Sequence, residues 1–141
     1  MGGVYLTRGL IKNAARKQQI NDFSGLLIGN ITPTDLDGVT EYKDKAYMLF
    51  EVKYDDAELP YGQRLCIERM IKDFGKSGKQ AIAVVVEHDV HDTNESVSVA
   101  QCRVREIYMS HEKIWRPPKK FITAGELQTE YLLFINREIA V

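Results

Sequence analysis

Four ionisable residues stand at spacings that could assemble a reaction centre: Asp35 and Asp37 before one strand-like run, and Glu51 and Lys53 at the end of the next. Gly38 to Tyr42, the turn-prone Lys43-Asp44-Lys45 and Ala46 to Phe50 lie between them and read as a β-hairpin. A turn centred on Asp44 makes the pairing symmetric about that residue, so Asp37 falls opposite Glu51 and Asp35 opposite Lys53. Because opposed residues share a face and side chains alternate with a period of two, one face gathers carboxylates and an amine. Like charges directly opposite one another destabilise a strand pair, and burial raises that cost. A divalent cation would remove the repulsion. Hard oxygen ligands that leave room for water suit Mg²⁺ or Mn²⁺, which can activate water and neutralise charge on a phosphate, and Lys53 would hold the water or stabilise that charge. The chemistry expected is hydrolysis of a phosphodiester.

The positioning elements can be read from periodicity and punctuation. Thr7 can cap a helix running to about Gln19, with Leu10, Ile11, Ala14 and Ala15 as its apolar stripe. Phe23 to Ile31, through Leu26-Leu27-Ile28, reads as a strand that would pair beside the acidic hairpin. Pro60 suits the first turn of a helix that buries Ile67, Met70, Ile71 and Phe74, with Gly75 as its C′ residue. Gln63 shares that face and either closes the stripe at its edge or reaches the carboxylates. Ala81 to Val86 is unbroken apolar sequence, expected as a central strand covered on both faces. The order strand, helix, strand makes it parallel to the second arm of the hairpin, so the sheet is mixed. Val97, Val99, Cys102 and Val104 indicate a further strand with a bulge near Ala100, and Trp115-Arg116-Pro117-Pro118 a loop. Thr123 and Glu126 form a capping box that opens a last helix burying Leu127, Tyr131, Phe134 and Ile135.

With 141 residues, 44% hydrophobic and 28% charged, the chain (1–141) reads as a single folded domain that needs no disulfide or metal staple. Cys66 and Cys102 lack metal-ligand spacing and are expected as buried free thiols. No apolar run approaches a membrane span and no signal-peptide core stands at the start, so no membrane partner and a cytoplasmic location are expected. The net charge of −1 gives no global field for nucleic acid. Binding would rest on local patches: Arg8, Lys12, Arg16 and Lys17 early in the chain, and Lys113, Arg116, Lys119 and Lys120 around Trp115. Solvated surface charge explains either patch alone equally well. His88 and His91, spaced His-x-x-His in a polar stretch, read as loop histidines. Gly75, Gly78 and the lysines between them lack the ending of a phosphate-binding loop and read as a turn.

The order helix, strand, acidic hairpin ending in Glu-x-Lys, helix and buried strand, from Thr7 to about Val86, resembles the PD-(D/E)XK phosphodiesterase superfamily. That restriction-endonuclease-like group includes small Holliday junction resolvases and many phage nucleases. The resemblance is carried by Pro33-Thr34-Asp35-Leu36-Asp37, Glu51-Val52-Lys53 and Gln63. It implies an α/β fold with a mixed central β-sheet flanked by helices, and Mg²⁺-dependent cleavage of DNA, with branched DNA one expected substrate and a homodimer the expected assembly. It also implies Asp37 and Glu51 as metal ligands, the Val52 carbonyl as a third, Lys53 positioning the water, and Gln63 assisting from the following helix. In that family proline directly precedes the aspartate, whereas Thr34 intervenes here, which leaves Asp35 and Asp37 both as possible primary ligands; the hairpin favours Asp37. Many members carry a glutamate on the first helix, yet no acidic residue precedes Asp22 in this chain. A one-metal site is therefore expected. The alternative is a nucleic-acid-binding or assembly protein on the same fold without turnover.

Overall fold

The computed structural model describes residues 9–139, which places Thr7 and Arg8 outside the described residues. The chain divides after Pro33 into two compact units. In the first, helix α1 spans only Ala14–Gln18, capped by the Asn13 side chain, which accepts from the Arg16 N–H at 3.1 Å. Gly9 takes φ +91, outside the helical region, and one turn of alanines offers too little apolar surface to drive further turns. The expected stripe residues Leu10 and Ile11 are exposed. Nor is Phe23 to Ile31 a strand. Ser24–Leu26 is a 3₁₀ turn, held by Asp22 accepting from the Ser24 N–H at 3.0 Å and its hydroxyl at 2.6 Å. Ile28 and Ile31 exchange two N–H···O bonds of 2.9 Å around Gly29, whose φ is +59. These local bonds use the donors and acceptors that a strand would offer a neighbour.

From Thr34 onward the chain is a mixed α/β unit whose five-stranded sheet has the order β1-β2-β3-β4-β5. The strands are β1 Gly38–Tyr42, β2 Ala46–Tyr54, β3 Gln80–His88, β4 Arg103–Met109 and β5 Trp115–Arg116. Helix α2, Tyr61–Lys76, joins β2 to the parallel β3, and helix α3, Ala124–Ile139, follows the sheet. The remaining pairs are antiparallel. The first hairpin has the expected register, with Tyr42 opposite Ala46 and Gly38 opposite Phe50. Its turn places Lys43 and Asp44 at φ +50 and +59, the mirror-image turn whose twist matches that of the strands.

Alternation along the strands divides the core. Leu49, Ala81, Ala83, Val85 and Tyr108 face α2 and pack on Ile67 and Ile71, the small alanines letting the helix lie close to the sheet. Met48, Ile82, Val84, Val86, Val104 and Ile107 form the other face, with Ile122, Ala124, Leu127 and Tyr131 packed against it. β3 is buried from Ala81 to Val86, as expected of a central strand. The capping box also forms: Thr123 N–H donates to Glu126 Oε1 at 3.0 Å, and Glu126 N–H to the Thr123 hydroxyl at 3.2 Å.

Five details differ from the sequence reading. Helix α2 runs through Gly75 to Lys76, and the left-handed residue beyond it is Gly78, at φ +88, because Lys79 N–H returns to the Phe74 carbonyl. The bulge lies not at Ala100, inside a 3₁₀ turn, but opposite Val85/Val86, where Arg105 is the extra residue of β4. Trp115-Arg116 is a short strand rather than a loop, since Tyr108 and Ile107 of β4 offer it partners before Pro117 ends pairing. Phe134 is 46% exposed; Ile135, one residue on, takes the buried position. Cys102 is buried, but Cys66 only half-buried.

Replacing Ile71, fully buried between α2 and the sheet, by alanine is expected to cost about 3 kcal/mol in urea unfolding. Phe134→Ala should change stability by no more than about 0.5 kcal/mol; equal losses would show that the helix faces are assigned wrongly.

Candidate functional site

The β1–β2 ladder ends at Gly38 and Phe50, one residue short of Asp37 and Glu51. At that point the Asp37 side chain turns in, and its Oδ2 accepts the Val52 N–H at 2.7 Å. A carboxylate thus replaces the strand carbonyl that would have continued the ladder. The carbonyl of a strand residue points to the same side as its N–H, so the Val52 carbonyl faces the Asp37 side. Glu51 lies on the α2 face in line with Leu49 and is 4% exposed. One of its oxygens, Oε1, is 3.7 Å from Lys53 Nζ; the other, Oε2, is buried without a hydrogen-bond partner.

Gln63, in the first turn of α2, joins the carboxylates rather than merely closing the stripe. Its Oε1 accepts from Lys53 Nζ at 3.2 Å, and its Nε2 donates to the Asp35 carbonyl at 2.9 Å. Asp37, Glu51, Lys53 and Gln63 therefore meet where β2 leaves the sheet and α2 begins. Both aspartates are exposed, but Asp35 takes part through its backbone carbonyl whereas the Asp37 carboxylate bonds the Val52 N–H and acts on Glu51, so of the two it is Asp37 that accompanies Glu51. Burial pushes the Glu51 carboxyl up to about 7; the neighbouring Asp37 carboxylate adds to the rise, while the Lys53 ammonium and the Gln63 amide oppose it.

Two supports could not be read from motifs. The bulge aims Arg105 at the loop after β2, where its guanidinium donates to the Ala57 and Asp55 carbonyls at 2.6 and 2.8 Å and to Glu87 Oε2 at 3.0 Å. The start of α2 is braced by Arg64, which pairs with Glu106 at 3.0 Å and lies 4.6 Å from the Trp115 ring centroid. Trp115 Nε1 in turn donates to Glu68 at 2.8 Å. The hydrogen bonds of both supports join residues 18 to 50 positions apart, so local spacing carries no signal for them.

The expected nucleic-acid contacts belong to both units. Lys12, Arg16 and Lys17 are exposed in the first unit, and Arg8 lies outside the described residues. Arg116 is paired with Glu112 at 2.9 Å and Lys120 with Glu130 at 3.2 Å, while Lys119 is exposed. His88 Nδ1 accepts from the Val90 N–H at 3.1 Å, and His91 bonds the Tyr54 hydroxyl. Asp55, Asp56, Glu87, Asp89 and Arg103 line a cavity of about 570 Å³ that none of Asp37, Glu51, Lys53 and Gln63 borders.

Among the described residues, no group of three or more His, Cys, Asp or Glu is arranged to hold a metal ion. The donor set at Glu51 is smaller: two carboxylates and a strand carbonyl, all hard oxygens, with one buried carboxylate oxygen left unpartnered. That set fits a cation such as Mg²⁺ or Mn²⁺, which keeps several of its waters. Among the described residues no helix is long and apolar enough to cross a membrane. No family model, curated protein or solved structure matches the chain.

The raised Glu51 carboxyl fixes the sign of a pH effect. Between pH 4.5 and about 7 the folded state binds more protons at this group than the unfolded state, so its contribution falls as pH rises through that window. In EDTA, Glu51→Gln should gain stability relative to wild type as pH rises, by about 3 kcal/mol at pH 8 in urea unfolding. A difference between the two proteins that does not vary with pH would contradict this.

Proposed function

We propose that the unit from Thr34 is a restriction-endonuclease-like domain and a metal-dependent nuclease that hydrolyses phosphodiester bonds of DNA. The observation that carries this reading is the meeting of Asp37, Glu51 and Lys53 at one strand end, with an oxygen of the buried Glu51 unpartnered. The strand order supports it: a hairpin bearing Asp37 and Glu51-x-Lys53, then α2, then a strand parallel to β2. Ligands in open α/β sheets gather beyond the carboxyl ends of parallel strands, which is where these residues stand.

Asp37, Glu51 and the Val52 carbonyl would hold the Mg²⁺ or Mn²⁺. When bound, the ion would supply a water of lowered pKa and neutralise charge on the scissile phosphate. The residues of the chain divide the remaining work. Lys53 carries three donors, of which Gln63 Oε1 takes one at 3.2 Å and Glu51 attracts another at 3.7 Å. The third can hold the attacking water or a non-bridging phosphate oxygen, where an ammonium stabilises developing negative charge. Gln63 fixes the direction of that amine, itself anchored on the Asp35 carbonyl. Asp37 closes the end of the hairpin against Val52 and so sets the distance between the two acidic arms.

A second reading keeps nucleic-acid binding without turnover, and the lack of a third carboxylate at the site among the described residues favours it. Labelled duplex, single-stranded and four-way-junction DNA, incubated with Mg²⁺ or Mn²⁺, separates the two. Cleavage is expected from wild type and should fall by about 10²–10³ in Asp37→Asn, Glu51→Gln and Lys53→Ala. Asp35→Asn, which keeps the backbone carbonyl, should cut nearly as fast as wild type. DNA shifted in a gel but never cut would select the second reading.

Stability offers an independent check. Millimolar Mn²⁺ should raise the melting temperature of wild type, a site saturated a hundredfold contributing about 2.7 kcal/mol. The rise should vanish in Glu51→Gln; an unchanged melting point in wild type would contradict the metal site.

A further inference from the structure

At the far end of α2 from Gln63 lies an open cleft of about 650 Å³, lined by Lys72, Lys76, Lys79, Lys113 and His111 together with glycines and the polar Gln80 and Ser110. No carboxylate lines it. Lys79 is paired with Asp44 across the hairpin turn, whereas Lys72, Lys76 and Lys113 have no ion-pair partner among the described residues. The lysines come from two separate pieces of chain, the end of α2 with its exit turn and the turn after β4, so helical periodicity alone does not account for their meeting.

Gly75 is what lets the two pieces close. A Cβ there would lie 2.9 Å from Ser110 Cβ, so only glycine allows the β4–β5 turn this close to the helix. That turn is fixed by Lys113 N–H donating to the Met109 carbonyl at 2.9 Å, with Lys113 at φ +61. Glu112, the acidic residue in the turn, is occupied by Arg116 at 2.9 Å and does not line the cleft. The glycine and lysine run that ends α2 is therefore more than a turn: it forms one wall of a cationic groove.

The chemistry of the lining narrows the ligand. Small-molecule sites are mostly apolar with a few directed polar groups, and this cleft has no aliphatic or aromatic wall beyond the His111 ring. Lysines act as point charges without the planar fork that recognises one carboxylate or phosphate in a fixed pose. Several of them along an open groove suit a run of phosphates read by charge alone. The thirteen residue-to-residue steps from Gln63 to Lys76 correspond to about 20 Å along the helix, the axial length of about six nucleotides of one B-form strand.

We propose that this cleft is a second contact for a nucleic-acid backbone, holding the substrate strand about 20 Å along α2 from the reaction centre. The role as a substrate contact rests on the nuclease reading, but binding at the cleft can be measured without turnover.

The test uses the full chain carrying Asp37→Asn, so that cleavage does not interfere, with a fluorescein-labelled 30-nucleotide single strand, its duplex, and phosphatidylserine vesicles as probes. Lys76→Gln/Lys113→Gln is compared with Lys43→Gln/Arg69→Gln, which removes the same charge from exposed positions outside the cleft; each pair includes one lysine at positive φ. The cleft pair should weaken DNA binding about tenfold at 100 mM salt and flatten the salt dependence by about one to two units, as expected for two lost phosphate contacts. The control pair should bind within about twofold of its parent. Equal weakening by both pairs, no DNA binding by the parent, or loss of vesicle binding with DNA binding unchanged would each overturn the proposal. Two further results separate it from the nuclease reading. A protein without Asp37→Asn that never cuts, while the cleft pair alone weakens binding, removes the nuclease and keeps the cleft. A protein that cuts while the two pairs bind alike does the reverse.

Discussion

A carboxylate held at 4% exposure with one oxygen unpartnered is the most demanding interaction in this protein. Moving an ionised carboxylate from water into a protein interior costs several kcal/mol even after relaxation, and a hydrocarbon of similar size at position 51 would pack against α2 without that penalty. The groups around Glu51 relieve only part of the cost. Lys53 is close to one oxygen at 3.7 Å but not in hydrogen-bond contact, and Asp37 adds a second negative charge. Burial therefore pushes this carboxyl up to about 7, since a proton removes the charge that the interior disfavours. A cation in the same place would relieve it more fully, and that is the physical basis of the functional reading.

The architecture around Glu51 can be understood as what keeps this costly geometry in place. β1 ends one residue early, which frees Asp37 to turn its side chain toward Val52 instead of pairing through its backbone. The parallel crossover brings the first turn of α2 over the end of β2, so Gln63 reaches Lys53 and the Asp35 carbonyl together. Neither contact would survive a loose loop between β2 and α2. Arg105 ties that loop down from a bulge on the other side of β3, and the Arg64, Trp115 and Glu68 brace holds the helix start from β5. A two-residue strand at the sheet edge thereby earns its place through its tryptophan more than through its ladder.

How much of this the sequence discloses depends on the range of the interaction. The hairpin register follows from a symmetric turn and strict alternation as far as Gly38 and Phe50; the expected Asp37–Glu51 pair lies one residue beyond the ladder, where the Asp37 side chain bonds the Val52 N–H instead. The buried run Ala81 to Val86 fixed the crossover for the same reason, since only a strand covered on both faces tolerates it. Expectation failed where polar side chains competed locally for backbone groups: Asn13, Asp22 and the Gly29 turn satisfy residues that hydrophobicity alone would assign to a longer helix and a strand. It also failed where a partner lay far away in sequence. Nothing near Arg105 announces a bulge, and nothing near Trp115 announces Glu68. Phe134 and Ile135 show a finer limit, since neighbouring residues on a helix point about 100° apart and the sequence does not say which of the two takes the deeper position.

The net charge of −1 conceals a separation of charge along α2. Acidic residues collect where β2 and β3 end: Asp37, Glu51, Asp55, Asp56, Glu87 and Asp89. The lysines of the cleft collect at the opposite end of the helix. The helix dipole complements both groups, its positive end lying over Glu51 and its negative end over Lys76. Part of the segregation therefore serves stability. For a polyanionic ligand, however, the two ends act differently: the lysine end attracts it unaided, while the acidic end repels it until positive charge is added there. On the proposed reading a phosphate chain would be gripped first at the cleft and admitted to Glu51 only alongside a cation, so the same charge pattern that steadies α2 would also make metal a condition of productive binding.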